Sequence, residues 1–131
     1  MHELSGFQLA ILQILWDRGE ASAVEVQRAL RPTRRVALTT VSTMLQRLEK
    51  RGVVTHRAEG RGFVYLPAVA EHEMRRSMFS DVLQGLFRGD AAAVVTQVLS
   101  ARDLQDGDIE RIQRLLDEAR RRRASGEDDD A

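Results

Sequence analysis

The sequence predicts a mainly α-helical fold with a small β-hairpin, followed by a second helical region. Three observations lead to this prediction. Apolar residues recur with a helical period in three successive segments before residue 53, and the period changes to two over residues 53–66. A helical period then returns after residue 70. Three helices followed by a hairpin are the order of elements in a winged helix-turn-helix, in which the hairpin forms the wing.

The first helix is predicted to begin after Ser5 and to end at Gly19. Ser5 can accept a hydrogen bond from the backbone of the first turn, and Gln8 follows three residues later, as in a capping box. Glycine ends helices because it adopts the left-handed conformation at little cost. Trp16, the single tryptophan, falls on the apolar side of this helix and is interpreted as a core residue.

The second helix repeats this pattern, with Ser22 as its cap and Glu25 as the partner three residues on. This helix is short and stops before Arg31, because Pro32 disfavours helical geometry in the residue that precedes it. A turn over residues 33–36 then leads into the third helix.

The third helix, predicted over residues 38–52, has one apolar and one polar face. Its apolar positions recur at i, i+3, i+7 and i+10 and are Leu38, Val41, Leu45 and Leu48. Its polar face carries hydroxyl, amide and cationic side chains, namely Thr39, Thr40, Ser42, Thr43, Gln46, Arg47 and Lys50. Such side chains can bond base edges and phosphates in a DNA major groove, which predicts a recognition helix.

Two points about the third helix stay open at the level of sequence. An ordinary amphipathic surface helix would show a similar division into two faces. The first residue of the helix is also undecided, because Ala37 is a poor cap and capping by Thr39 would shorten the helix by two residues.

The balance of charge differs between the two halves of the chain. The whole sequence has no net charge, but residues 1–66 carry a net +4 and residues 67–131 a net −4. Residues 31–61 hold eight cations and two acids, a net +6 centred on the third helix. Because such a patch attracts phosphate, we predict that Arg34 and Arg35 contact DNA together with the polar face of that helix.

Three further helices are predicted over residues 70–87, 91–99 and about 106–122, with Asp90 as the cap of the middle one. Apolar stripes run along the first and last of them and comprise Met74, Met78, Val82, Leu86, Ile109, Ile112 and Leu116. Short helices with apolar stripes and no core of their own indicate burial against a second copy of the chain. These residues are therefore predicted to form a homodimer interface.

The predicted elements divide the chain into three parts. Residues 1–67 form a winged helix-turn-helix DNA-binding domain, and residues 68–123 form a helical dimerisation domain. Residues 124–131 are mostly small and acidic, and we expect them to form a disordered tail.

Several classes of function are disfavoured by composition. The chain has no cysteine, which excludes disulfides, thiolate metal sites and cysteine catalysis. His2, His56 and His72 are scattered without metal-ligand spacing, and no glycine-rich phosphate loop occurs. We therefore expect no enzyme, no cofactor and no metal site. No apolar run is long enough to cross a membrane, and we expect a cytoplasmic protein without a membrane partner.

Two motifs resemble the penicillinase-repressor family of the BlaI, MecI and CopY type. They are TTVSTMLQRLEKRG at residues 39–52 and GRGFVY at residues 60–65, and Trp16 in the first helix adds to the resemblance. The resemblance implies a homodimeric transcriptional repressor whose winged helix reads a palindromic DNA operator and whose C-terminal helices interlock. It also implies that the operator is read by Thr39, Thr40, Ser42, Thr43, Gln46 and Arg47, with Arg61 at the tip of the wing.

Two features of the resembling family are not matched. Copper-responsive members carry C-terminal cysteine pairs, which this chain lacks, so copper sensing by thiolates is excluded. Members that respond to β-lactams are cleaved at an Asn-Phe bond, but Gln97-Val98 stands at the matching position, which leaves a sensor protease open as a partner. The alternative function is a winged-helix protein-interaction module without operator specificity. Charge favours DNA binding, because a protein-binding wing does not require a net +6 around the third helix.

Overall fold

The computed structural model describes residues 3–102 and 104–126, which fold into helices and one small antiparallel sheet. Within these residues the elements are α1 (Gly6–Arg18), β1 (Ala21–Ser22), α2 (Ala23–Leu30), α3 (Leu38–Lys50), β2 (Val54–Glu59), β3 (Gly62–Pro67), α4 (Glu71–Gly85), α5 (Ala91–Leu99) and α6 (Asp108–Ser125). The order of helices and hairpin confirms the predicted mainly α-helical fold with a winged helix-turn-helix.

The two N-terminal helices begin as the sequence predicts. The Ser5 hydroxyl accepts from the Gln8 amide at 3.1 Å, and the Ser5 amide donates to the Gln8 side chain at 3.0 Å. The same reciprocal pair joins Ser22 and Glu25 at 3.2 and 2.9 Å. Gly19, with φ of 87°, ends α1. These capping boxes satisfy backbone donors that the first helical turn leaves unpaired.

The sheet has the strand order β1-β3-β2, and both pairings are antiparallel. The hairpin of β2 and β3 is paired from Val54 opposite Pro67 to Glu59 opposite Gly62. The short strand β1 was not predicted, because two residues are too few to show a period of two. Its pairing of Ala21 with Tyr65 attaches the middle of β3 to the segment between α1 and α2.

The chain forms two compact units, Met1–Leu86 and Phe87–Ala131. This division of the packing differs by one helix from the predicted boundary at residues 67/68. Met74 of α4 is 1% exposed and lies in the core of the first unit, and Met78 packs against that core. Met74, predicted as a dimerisation residue, is thus covered within its own chain, because α4 places it against the buried side chains of the N-terminal helices.

The core of the first unit is built from aliphatic side chains. Its fully buried members are Ile11, Leu12, Leu15, Val26, Leu30, Val41, Leu45, Leu48, Val53, Val54 and Met74. Leu38 was predicted to share the apolar face of α3. It is 38% exposed, because it is the first residue of the helix and lies beyond the core. Trp16 is half-buried and packs against the core. Its Nε1 donates to the Val69 carbonyl at 2.9 Å.

The second unit contains α5 and α6. Asp90 caps α5 as predicted, its carboxylate accepting from the Ala93 amide at 3.1 Å. Neither helix has a fully buried residue. The helix α6 continues through Ser125, because the arginine-rich segment extends it to its C-cap at Gly126. The predicted start of the tail at residue 124 is therefore too early. The remainder of that tail, residues 127–131, lies outside the described residues.

No helix in the described part of the chain is long and apolar enough to cross a membrane.

The burial of Met74 leads to a test of α4 as part of the first unit. Met74→Ala should lower the free energy of unfolding by about 2–5 kcal/mol, because truncation of a buried methionine loses apolar contacts and leaves a cavity. Chemical denaturation of the full-length chain measures this change. Gln84→Ala on the exposed side of α4 is the matched control and should stay within about 0.5 kcal/mol of the unsubstituted chain. Equal effects of the two substitutions would contradict the packing of α4 against this core.

Candidate nucleic-acid interface

The two faces of α3 are separated by burial. Val41, Leu45 and Leu48 are fully buried, which fixes the orientation of the helix against the core. The opposite face is exposed at six of the seven predicted positions, which are Thr39, Thr40, Thr43, Gln46, Arg47 and Lys50. Ser42 is half-buried, because it lies next to Val41 at the margin between the two faces. Of the predicted polar residues of α3, Ser42 is the least accessible to a ligand.

The first turn of α3 has no side-chain cap. Ala37 occupies the N-cap position in an extended conformation, and no side chain accepts from the backbone of the first turn. The choice left open by the sequence is thus settled in favour of Ala37. Uncapped amides at a helix N-terminus, together with the helix dipole, favour a negative group such as a phosphate. The turn that leads into α3 is held by the Gln27 side chain, whose amide donates to the Val36 carbonyl at 3.0 Å.

Arg34 and Arg35 are both exposed in the turn before α3. The guanidinium of Arg34 lies 5.3 Å from the centre of the Phe7 ring, within the range of a cation–π contact. This contact orients the Arg34 side chain across α1, and no carboxylate among the described residues forms an ion pair with it. Both arginines therefore place positive charge beside the N-terminus of α3.

The wing ends in a two-residue turn formed by Gly60 and Arg61. Gly60 has φ of 59°, a conformation that favours glycine and lets the chain reverse tightly. Arg61 is exposed at the tip, and the described residues offer it no ion pair or hydrogen bond. Its guanidinium is available for an external anion.

Arg57 contributes less to the basic patch than the sequence indicates. Its guanidinium donates to both carboxylate oxygens of Glu20 at 2.7 Å and to Glu59 at 3.1 Å. The hydrogen bond from Arg57 lowers the pKa of Glu20 below its usual value, and the same contact raises the pKa of Arg57. Two carboxylates therefore offset this cation, and the charge count over residues 31–61 did not include Glu20.

A contact between α3 and the wing was not identified from the sequence. The His56 Nδ1 lies 2.7 and 2.8 Å from the two carboxylate oxygens of Glu49. Burial raises the pKa of the Tyr65 hydroxyl, and the negative charge of Glu49 raises it further. Sequence reasoning placed His56 on a wing strand but could not find its partner, because the two residues belong to different elements and share no period.

These residues form a surface suited to a polyanion that presents hydrogen-bonding groups. Hydroxyl and amide side chains lie along α3, with Arg47 and Lys50 at its C-terminal end and Arg34, Arg35 and Arg61 on the adjoining segments. Within the described ranges, no three His, Asp or Glu side chains are grouped to hold a metal ion.

The chain is similar to known proteins over most of its length. A sequence model of the penicillinase repressor family matches residues 4–118. The chain is 27% identical over 121 residues to the penicillinase repressor of Bacillus licheniformis, covering 92% of this chain and 94% of that one. It is 22% identical over 115 residues to the methicillin resistance regulatory protein MecI of Mammaliicoccus sciuri, with 88% and 94% covered. A solution structure of the Bacillus licheniformis BlaI monomeric form with the blaP half-operator is 33% identical, covers 55% of this chain and 88% of that one, and has a TM-score of 0.48.

The pairing of Arg57 with Glu20 predicts a measurable titration. Replacing Arg57 with Met should raise the pKa of Glu20 toward its usual value of 4.5, because the main hydrogen-bonding cause of the lowered pKa is removed. In the unsubstituted chain the pair stabilises the fold at pH values above the usual pKa of Glu20. This stabilisation is lost as the pH falls through the lowered pKa. Carboxyl chemical shifts followed by NMR report both values.

Glu25 is an internal control for this titration. Its pKa is lowered by hydrogen bonds from Ser22, first from the backbone and then from the side chain, and Arg57 has no part in this. The pKa of Glu25 should therefore not change in Arg57→Met. An unchanged pKa of Glu20 would show that Arg57 is not paired with it in solution.

Proposed function

This chain belongs to the penicillinase repressor family and is a DNA-binding transcriptional repressor, and we propose that it acts as a homodimer on a palindromic operator in the cytoplasm. The observation that carries the proposal is the geometry of α3, whose apolar face is buried in the core while its hydroxyl, amide and cationic face is exposed. This role requires no catalytic step.

We assign sequence readout to the exposed face of α3. Thr39, Thr40, Thr43 and Gln46 offer short hydroxyl and amide groups that can bond base edges, and threonine methyl groups can contact thymine. Arg47 and Lys50, at the C-terminal end of the helix, suit phosphates on the flanks of the groove. Ser42 is a weaker candidate because it is half-buried.

We assign affinity without sequence preference to the cations on either side of α3. Arg34 and Arg35 precede the helix, and Arg61 extends from the wing tip. Contacts to phosphate fix the register of a protein on the duplex and release counterions, so they make affinity depend steeply on salt. Arg57 is omitted from this group because Glu20 and Glu59 offset its charge.

The homodimer is supported by apolar side chains left exposed in each unit. In the first unit, Phe79, Val82 and Leu86 of the α4 segment are 49%, 43% and 75% exposed. In the second unit the large exposed apolar residues are Val95, Val98, Leu99, Ile109, Leu115 and Leu116. So many exposed apolar side chains on the α4 segment, and again on α5 and α6, indicate an interaction surface. We propose that a second copy of the chain covers it.

The proposed dimer interface is a revision of the one predicted from sequence. Val82, Leu86, Ile109 and Leu116 remain in it as exposed residues, and Ile112 remains as a half-buried one. Met74 is removed because it is buried, and Met78 has a smaller share because it packs against the core. Two recognition helices related by a twofold axis would meet half-sites separated by about one helical turn of DNA or a multiple of it.

The first test separates base readers from phosphate contacts. The operator is obtained by selecting random duplexes on the purified protein. Thr40→Ala or Thr43→Ala should then lower affinity for the selected duplex by about 1–3 kcal/mol and have little effect on random DNA, as expected for residues that read bases. Fluorescence anisotropy titrations over a series of salt concentrations measure both affinities.

The wing arginine should behave differently in the same titrations. Arg61→Ala should weaken binding to both duplexes and flatten the log–log salt dependence by about one unit, since one phosphate contact is lost. Arg75→Ala is the control: it removes an arginine of α4 that is ion-paired with Glu71 and lies outside the proposed surface, so it should change the salt dependence less. Equal losses for the threonine and Arg61 variants on both duplexes would contradict this division of roles.

The second test concerns the dimer. Leu116→Asp should convert the chain to a monomer, because the substitution places an unpaired charge within the apolar interface. Operator affinity should fall by about a hundredfold, since the second half-site no longer benefits from a high effective concentration. Arg114→Asp introduces a carboxylate at an exposed position on the side of α6 opposite Leu116 and should leave the dimer intact.

Light scattering and gel-shift assays on the same samples report the oligomeric state and the affinity of these variants. A full-length chain that stays monomeric at operator-saturating concentrations would overturn the homodimer. It would also favour a winged-helix protein-interaction module.

A further inference from the structure

We infer that Glu49 and His56 form a positioning pair that fixes the wing against the recognition helix and thereby sets where Arg61 meets the DNA backbone. This inference rests on the proposed DNA-binding function. Neither residue is assigned a contact with DNA. Their role is to hold in place another residue that makes one.

The geometry of the pair is close and specific. His56 Nδ1 lies 2.7 Å from one oxygen of Glu49 and 2.8 Å from the other, so a single ring nitrogen is shared between them. Each side chain is 34% exposed, which shields the contact in part from water and salt. Glu49 is in the last turn of α3, and His56 is the third residue of β2, so the contact joins the helix directly to the outer strand of the hairpin.

Aromatic rings extend this contact along one face of the wing. His56 pairs with Tyr65 and Ala58 pairs with Phe63 in the antiparallel register, which places all four side chains on the same face. The centres of the His56 and Phe63 rings are 4.4 Å apart, and the His56 and Tyr65 centres are 5.7 Å apart. Phe63 is the second residue of β3 after the turn of Gly60 and Arg61, so the rings connect Glu49 to the strand next to the wing tip.

The opposite face of the wing is held by a separate contact. Arg57 donates to Glu20, which lies between α1 and β1. Backbone pairing from β1 reaches Val64 and Tyr65, in the middle of β3 and opposite Arg57 and His56. The Arg57–Glu20 and Glu49–His56 contacts hold the two faces of the hairpin at the level of this backbone pairing, and the Glu49–His56 pair is the contact on the side of α3.

Charge gives the pair a second effect. Glu49 is the single acidic residue of α3, and an unpaired carboxylate on that helix would repel approaching phosphates. A hydrogen bond from His56 keeps the carboxylate engaged within the protein. Loss of His56 should therefore both free the wing and leave a repulsive group on the recognition helix.

Two substitutions of His56 separate the hydrogen bond from the ring. His56→Phe keeps an aromatic ring beside Phe63 and Tyr65 but removes the donor to Glu49. His56→Asn places an amide donor near the position of Nδ1 but removes the ring. Glu49→Ala removes the acceptor, and it also removes the repulsive charge. All three are made in the full-length chain, alone and combined with Arg61→Ala.

The readout is the coupling between His56 and Arg61 in affinity for the selected operator duplex. We expect His56→Phe to lower affinity about tenfold. In that background Arg61→Ala should cost at most a third of what it costs in the unsubstituted chain, because the misplaced wing no longer delivers its guanidinium to a phosphate. The same loss of the Arg61 effect is expected with Glu49→Ala, even though this variant removes a negative charge. His56→Asn should restore most of the Arg61 effect, since the donor is returned.

A local loss of stability would not produce this pattern. Thermal unfolding should show a change in Tm of less than about 4 °C for each variant, because the pair is on the surface. Backbone ¹⁵N relaxation should show increased mobility confined to the outer hairpin of His56→Phe and Glu49→Ala. Additive effects of His56→Phe and Arg61→Ala, or an unchanged wing in the relaxation data, would overturn the inference.

The outcome for the unsubstituted chain distinguishes failure of this inference from failure of the proposed function. If the unsubstituted chain binds no duplex, the proposed function fails and the inference fails with it. If the unsubstituted chain binds its operator and the Arg61 effect is the same in all backgrounds, only the positioning role of Glu49 and His56 is wrong.

Discussion

The surface that we propose meets DNA depends on the burial of one face of α3. Val41, Leu45 and Leu48 are fully enclosed by the surrounding helices and the base of the hairpin, so the helix cannot rotate about its axis without exposing them. The same constraint directs Thr40, Thr43 and Gln46 outward. Readout of bases requires side chains held at fixed angles to the groove. The apolar contacts of α3 therefore support the proposed recognition, although their side chains face the core.

Local features of the fold were predictable from the sequence, and contacts between distant segments were not. Both capping boxes, the glycine that ends α1 and the period of α3 are encoded within a few residues and were confirmed. The strand β1 was missed because two residues show no period. For Met74, the helical period identified an apolar stripe but could not identify what covers it. The N-terminal core covers it, and a second copy of the chain had been predicted to do so.

The candidate site shows the same limit in its electrostatics. A count of cations along the sequence identifies a basic segment, yet it treats every charge as available. Arg57 is engaged by Glu20, which is 37 residues away in the sequence, and Arg34 is oriented by the Phe7 ring. Glu49 and His56 could be recognised as a pair only after the hairpin was placed beside the helix. Pairing between elements, which a linear count cannot include, determines which of the charges can bind a phosphate.

The attachment of α4 to the first unit has a consequence for exchanging parts between related proteins. Met74 fills the N-terminal core and Trp16 donates to the Val69 carbonyl, so the segment after the wing completes the hydrophobic core of the unit that contains α3. A chimera joined directly after the wing would pair this core with a foreign α4 and disturb its packing. A joint between residues 86 and 87 keeps every buried side chain with its native neighbours. Recombination at that point is the one that the architecture tolerates best.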